Sequence, residues 1–517
     1  MELTLPSLPY QLSALLLFVL ALKLLHKKKA TKTRSKLRIP PGPWTLPIIG
    51  SLHHLVRSRL PHRTLYNLAR SHGPVMLLRA GQTDLVIITS KEAAEEVMKT
   101  HDAKFSDRPL LFTANMCNSG CDIVFSNGPY WRQLHRICVN GLLSSKKVKS
   151  LSSIRHEEVN HMLKSLSTFS DKKSPVKLIE KVSDVANNIV ARVTFGGRCK
   201  RKEVFLKALK EVIEQVSWFS LSDFFPSLSQ MDMKMKTKSL RTYRILDTLM
   251  EEIVQEHLEM QKQQQINGKE DIEYNLVYVL IKAMEDGNAG LPITFDSVKS
   301  VILDMFAGGT DTTTTTVEWT MAELVKHPEI MAKVQAEIRH AVGEKTDIDE
   351  NDIIKLNYLK LVIKETLRLH PPLPLLLPRQ CNETSQILGC SISSGARVII
   401  NGWALGRDPE NWTDADKFIP ERFEGSRVDF KGNNFEFVPF GAGRRSCPGM
   451  EFGMAIIEIT LSRLLLHFDW KLPDSVKPND LDMSEEFGAV CRKKIPLSLI
   501  PVLRVSLSDF GEVYNYT

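Results

Sequence analysis

The stretch Phe440-Gly441-Ala442-Gly443-Arg444-Arg445-Ser446-Cys447-Pro448-Gly449 sets one cysteine in a loop rich in glycine and arginine, directly ahead of the apolar helical run Met450 to His467. A cysteine ligates a metal only as the thiolate, and a thiolate needs help to stay ionised. The first turn of a helix supplies that help through its free N–H groups and its dipole. Gly443 and Gly449 permit close approach of the backbone to a flat group. Phe440 can cover the sulfur and limit water. The plainer alternative is a buried structural cysteine in a glycine loop.

A second unusual stretch lies upstream. Ala307-Gly308-Gly309-Thr310-Asp311-Thr312-Thr313 falls inside a helical run predicted from Pro292 to Leu324. A mid-helix glycine costs about 1 kcal/mol against alanine, so something must offset the pair. Close approach of a ligand or of another backbone would do so. Thr312 can return its hydroxyl to the carbonyl four residues earlier and distort the helix. Asp311 is an acid able to relay protons. The plainer alternative here is a kinked, threonine-rich core helix.

Around these stretches the chain reads as mostly helix. Val75 to Ser90 is β-branched and apolar and predicts strand, as does Arg397 to Ile400. Helical period marks Ser239 to Met260, Pro328 to Val342 and Tyr358 to His370. The polar tract Gln261 to Gly268 predicts a surface loop. No internal repeat and no low-complexity linker divides the 517 residues. The eight cysteines are scattered without paired spacing, which excludes a disulfide framework.

The N-terminus has its own pattern. Leu12 to Leu25 is nearly all apolar, and Lys27, Lys28, Lys29, Lys32, Arg34, Lys36 and Arg38 follow. With the run extended back to Leu3, the length approaches the roughly 20 residues of a membrane span. The basic flank predicts that everything after it faces the cytosol. Pro40-Pro41-Gly42-Pro43 then makes a stiff elbow. The expected organisation is an anchor at 1–25, a basic and proline-rich linker at 26–47, and one large domain at 48–517. The net charge of +8 suits a membrane surface or an acidic partner. Without zinc-finger spacing or an aromatic–basic stripe, nucleic-acid binding is not expected.

The loop at 440–449 resembles the haem loop of the cytochrome P450 superfamily, Phe-x-x-Gly-x-Arg-x-Cys-x-Gly, at every fixed position. Residues 308–312 resemble the small-Gly-x-acid-Thr segment of the same family. Pro40-Pro41-Gly42-Pro43 and Phe487-Gly488 extend the likeness over nearly the whole chain, and the spellings are similar to plant A-type members of the endoplasmic reticulum membrane. The resemblance implies a mainly α fold with small β-sheets and a single haem domain behind a single-pass anchor. It implies haem b, held by Cys447 as the proximal iron ligand. Arg445 and Arg379 would serve the propionates, and Trp131-Arg132-Gln133-Leu134-His135-Arg136 resembles another propionate-binding segment. Many members carry arginine where this chain has His135, which leaves His135 and Arg136 as alternatives. Glu365, Arg368 and Arg422 resemble a structural network behind the cysteine loop. Thr312 and Asp311 would manage proton delivery to dioxygen. Phe306, Ala307, Leu375, Leu376, Phe487 and Ala489 match pocket-lining segments, and their apolar character favours a lipophilic substrate.

The implied activity is a monooxygenase that inserts one atom of O2 into a C–H bond. No dinucleotide fingerprint is present, so electrons from NADPH would arrive through a separate membrane-bound reductase. A terpenoid of plant specialised metabolism is the expected substrate, with an indole, alkaloid or phenolic as the alternative. A reductase-independent haem-thiolate isomerase or dehydratase and a non-catalytic haem sensor are the rival functions.

Overall fold

Thr83-Asp84-Leu85-Val86-Ile87-Ile88 combines β-branched and apolar residues and is buried over its last four positions, as an inner strand requires. In this computed structural model it is β2 (Thr83–Ile88), paired antiparallel with β1 (Val75–Ala80) from Val75↔Ile88 to Ala80↔Thr83. The predicted single strand is therefore a tight hairpin. It turns at Gly81, whose φ of +59° suits glycine. β3 (Arg379–Gln380) and β4 (Arg397–Ile400) complete the sheet in the order β1-β2-β4-β3, with β4 parallel to β2. A separate hairpin joins β5 (Glu485–Phe487) to β6 (Cys491–Lys493).

The structure describes residues 38–505, apart from 57, 112–119, 198–200, 216–220, 228–232, 268–274, 287–289 and 475. The expected anchor at 1–25 and most of the basic stretch lie outside the described residues. Among those described, no helix is long and apolar enough to cross a membrane.

Helices make the bulk of the body. α1 (Gly128–Cys138) and α2 (Leu178–Phe195) flank the centre. α3 (Phe295–Gly309) starts at a capping box in which Thr294 accepts the Ser297 N–H. α4 (Asp311–Lys326) continues it after a break at Thr310. Every residue of α4 from Thr313 to Val325 is buried. Two of its buried threonines return their hydroxyls to the backbone: Thr316 Oγ1 donates to Thr312 O at 2.9 Å and Thr320 Oγ1 to Thr316 O at 2.8 Å. α5 (Asn357–Leu369) and α6 (Met450–His467) pack against α4. These helices hold the largest apolar cluster, with Trp319 fully buried in it.

One expectation is corrected. The polar tract after Met260 continues the helix Met233–Asn267 up to Asn267 instead of forming a loop. Glutamine and lysine are good helix formers, and no breaker intervenes before Gly268.

Candidate active site

The loop before α6 is shaped by two left-handed glycines, Gly441 at φ +68° and Gly443 at φ +70°. Gly443 is required for a different reason from the one its motif suggested. A Cβ there would lie 2.1 Å from Met98 O and 2.8 Å from Asp102 Oδ1, so this glycine seats the loop on the preceding turn rather than against a cofactor. Asp102 then clamps the loop. It accepts the Arg444 N–H at 2.8 Å through Oδ2 and Arg379 Nη1 at 3.0 Å through Oδ1. Cys447 donates its N–H to Phe440 O at 2.9 Å, closing the loop on itself. Cys447 is solvent-accessible and lines a cavity. Burial pushes the thiol up, and the Gly449 N–H at the start of α6 acts the other way.

The cavity measures about 240 Å³. Its wall opposite the cysteine is the junction of α3 and α4, through Gly308, Gly309, Thr312, Thr313 and Thr316. Thr312 Oγ1 donates to Gly308 O at 2.6 Å, the back-bond that the spacing predicts. Gly309 has its own steric reason, because a Cβ would lie 3.0 Å from Val190 of α2. Asp311 does not line the cavity. It sits on the far side of the junction, where burial raises its carboxyl and Arg492 and Lys210 draw it back.

Along one edge of the cavity stand three buried guanidiniums, those of Arg108, Arg379 and Arg445. Arg445 donates to Ser106 O and Ser126 O, and its carbon lies 4.1 Å from the Trp131 ring centroid. Its Nη1 is buried with no partner among the described residues. Burial lowers Arg445 to about 10. Arg108 falls well below the usual range, first through burial and then through the charges of Arg379 and Arg445. Asp102 pairs with Arg379, but Arg108 donates to carbonyls and Arg445 keeps a buried Nη1 without a partner, so this edge suits an anionic ligand. A flat group with two carboxylates on one edge and a metal facing Cys447 answers every one of these features, so the residues fit haem. Arg108 has no motif in the reading above. Its signal is only positional, a lone arginine after Phe105-Ser106-Asp107.

The structure also separates the remaining candidates. Trp131 and His135 line the cavity with ring centroids 5.1 Å apart, whereas Arg136 is exposed and points elsewhere. Burial and then Arg445 lower His135. Phe440, Gly449 and Leu376 line the cavity, and Leu376 takes a left-handed φ of +49° there. Phe306, Ala307, Leu375, Phe487 and Ala489 are not among its lining residues. Phe306 lies on the other face of α3, stacked on Phe195 at 5.4 Å and edge-on to Phe205 at 4.7 Å. Leu375 and Phe487 pack instead into the apolar cluster beside the four-stranded sheet.

Glu365 and Arg368 of α5 form a fully buried, two-point pair, with Arg368 Nε and Nη2 each 2.8 Å from a Glu365 oxygen. Arg422 Nε adds a contact to Glu365 Oε1 at 2.9 Å, and the Ile419 N–H another at 2.8 Å. Arg368 also donates to the carbonyls of Gly406, Ala415 and Lys417. The network fastens the irregular chain that leads toward the cysteine loop.

The cytochrome P450 family model matches residues 40–499. Desmethyl-deoxy-podophyllotoxin synthase of Sinopodophyllum hexandrum is 44% identical, over 96% of this chain and 97% of its own length. Premnaspirodiene oxygenase of Hyoscyamus muticus is also 44% identical, over 95% and 98%. A zebra fish cytochrome P450 solved with progesterone shares the fold at a TM-score of 0.74 and 24% identity, covering 86% of this chain and 99% of that one. With the thiol loop, the broken helix and the arginine edge facing one cavity, the chain belongs to the cytochrome P450 family and is a haem-thiolate monooxygenase.

Proposed function

We propose that this enzyme hydroxylates a lipophilic terpenoid of plant specialised metabolism at the endoplasmic reticulum membrane. The carrying observation is one cavity lined by Cys447 and by Gly308, Gly309 and Thr312, with mostly apolar side chains beyond its arginine edge. The name of the premnaspirodiene relative supports a terpenoid. A second reading, an oxygenated phenolic, is favoured by the name of the podophyllotoxin-type relative.

Haem, when bound, would supply the redox chemistry that reduces and splits dioxygen, made more electron-rich by a thiolate ligand. The chain supplies the rest. Cys447 offers its sulfur from the start of α6, and Phe440 shields it. Arg445, Arg108, Arg379, Trp131 and His135 would hold the carboxylate edge. Thr312 keeps its hydroxyl tied to Gly308 O and presents its lone pairs to the cavity, where it orders a water. Asp311 takes up protons from the side of Lys210 and Arg492 and hands them toward Thr312. Val190, Val193, Ile123, Val124, Met305 and Leu376 exclude bulk water from the reacting C–H bond.

Residues 1–25 form the anchor, 26–47 the linker and 48–517 the catalytic domain on the cytosolic side. An NADPH-dependent reductase docks on the basic face near Arg444 and passes electrons inward. The test is co-expression with a plant P450 reductase in microsomes fed a terpenoid panel, read by mass spectrometry. Hydroxylated terpenoid that requires NADPH, O2 and reductase is the expected result. Turnover of phenolics alone would overturn the substrate assignment, and product without reductase would overturn the monooxygenase cycle.

A further inference from the structure

α2 packs against both α3 and α4. Two of its residues, three apart and so on one face, meet two successive residues of the α3–α4 junction. Val190 Cγ2 lies 3.0 Å from where a Cβ on Gly309 would be. Asn187 accepts the Thr310 hydroxyl through Oδ1 at 3.1 Å, and both side chains are buried. Three other threonines along this run behave differently. Thr312, Thr316 and Thr320 return their hydroxyls to the carbonyl four residues earlier on their own helix. Thr310 sends its hydroxyl across to α2 instead, and it is the residue at which the helix breaks, with φ −96° and ψ −67°.

The pair Gly308-Gly309 makes the chain compliant here, because neither residue has a Cβ to restrict rotation. A Cβ on Gly308 would meet nothing within 4 Å, so packing does not confine that residue. A compliant stretch takes its direction from contacts outside it. The polar contact at this junction is that of Thr310 with Asn187, in a buried setting where bulk water does not readily replace a lost acceptor. The back-bond of Thr312 straddles the same point. Its hydroxyl lies two residues after Thr310 and its acceptor, Gly308 O, two residues before. Rotation of the chain at Thr310 therefore moves the two ends of that bond relative to each other, on a wall of the cavity.

We propose that Asn187 is a positioning residue for the oxidation. By holding Thr310 it fixes the break between α3 and α4, and with it the place on the cavity wall from which the Thr312 hydroxyl orders water. Asn187 is not among the residues that line the cavity, so it acts through the helix and touches no substrate. The inference rests on the reading of Thr312 as a residue of proton delivery and adds the group that holds it in place.

The experiment uses the full-length holoenzyme with reductase in microsomes and premnaspirodiene as the probe. It reads hydrogen peroxide released per NADPH oxidised and, in the resting protein, amide hydrogen exchange over residues 306–314. Asn187→Leu is close in volume and removes the acceptor, and Thr310→Val removes the donor. Each is expected to raise both readings about fivefold, the equilibrium worth of one net hydrogen bond. The carbon monoxide spectrum of the reduced protein should not change. Asn187→Leu/Thr310→Val should be no worse than either single variant, and Thr310→Ser, which keeps the donor, should stay near wild type. Should Asn187→Leu lose its haem, Thr310→Val carries the same expectation. Faster exchange with an unchanged peroxide ratio overturns the proposal, because Asn187 would then only stabilise the fold. Additive effects in the double variant also overturn it, since the two residues would then act separately. Thr312→Ala is run in parallel. If it raises the peroxide ratio and Asn187→Leu does not, the proposal falls and the reading of Thr312 stands. If Thr312→Ala leaves the ratio unchanged, that reading fails and the proposal with it.

Discussion

Replacing Glu365 with alanine should be among the most damaging single changes outside the cavity. The carboxylate accepts four hydrogen bonds, two from Arg368 and one each from Arg422 and the Ile419 N–H. Arg368 is fully buried and Arg422 nearly so, hence neither guanidinium can turn to water. Breaking a buried pair by removing one partner costs about 3–5 kcal/mol, because it leaves an uncompensated charge in a dry site. Against a total stability of about 5–15 kcal/mol, that is about a fifth or more of the fold. The loss should appear first as weaker haem retention, because the chain from Ala415 to Arg422 leads into the cysteine loop. The assay pairs a urea titration with the carbon monoxide spectrum of the reduced protein. The double variant Glu365→Ala/Arg368→Met removes both principal charges and should recover part of the loss. A shift below about 1 kcal/mol in the single variant would refute the reasoning, since that is the scale of an exposed pair. So would a double variant as damaged as the sum of its parts.

Cys447→Ser should abolish the red-shifted carbon monoxide band of the reduced enzyme while leaving much of the helical content, and a variant that kept both band and turnover would exclude Cys447 as the ligand. Thr312→Ala should keep substrate binding but lower product formed per NADPH consumed, with hydrogen peroxide rising in parallel; general acid–base help is worth about 10²–10⁴-fold, and an unchanged ratio would reduce Thr312 to a helix threonine. Glu323 gives a pH test. Burial works to raise its carboxyl, but hydrogen bonds from His327 and His370 outweigh burial and hold it at about 2 against an ordinary 4.5. Its stabilisation is present above pH 4.5 and is lost as the pH falls toward 2, on the order of 3 kcal/mol at most. The gap in urea midpoint between wild type and Glu323→Gln should therefore close over that window, and a gap that stayed constant would contradict the pair.

The parts of the molecule that were legible in the sequence are those whose signal is local. The helices Pro328–Val342 and Met450–His467 and the strand Arg397–Ile400 have the bounds that periodicity predicts. The Thr312 back-bond follows from a four-residue spacing that any helix imposes. What escaped were residues whose partners lie far along the chain. Arg108 reaches carbonyls about 270 residues away, and Asp102 reaches Arg444 342 residues away; neither is marked by its neighbours. Asp304 reads as one more charge on a helix until the Ile123 N–H, 181 residues away in the chain, is laid against it. Apolar side chains misled in the opposite way, since hydrophobicity alone does not separate Phe306 in the core from Met305 on the cavity wall.

Asp102 links two features that belong to distant segments. One of its oxygens positions the Arg444 N–H beside the sulfur loop, and the other positions Arg379 on the carboxylate edge. Gly443, pressed against Met98 and Asp102, removes the remaining slack. The two attachments of a flat group, one at its centre and one at its rim, are thus gauged from a single post. Asp102 thus couples the position of the sulfur loop to that of Arg379. On another side of the cavity the segment Cys121 to Ser126 is fastened to α3, where Asp304 accepts the Ile123 N–H. Movement of the segment Cys121 to Ser126 is therefore felt at the carboxylate edge too, since Arg108 donates to Val124 O and Arg445 to Ser126 O.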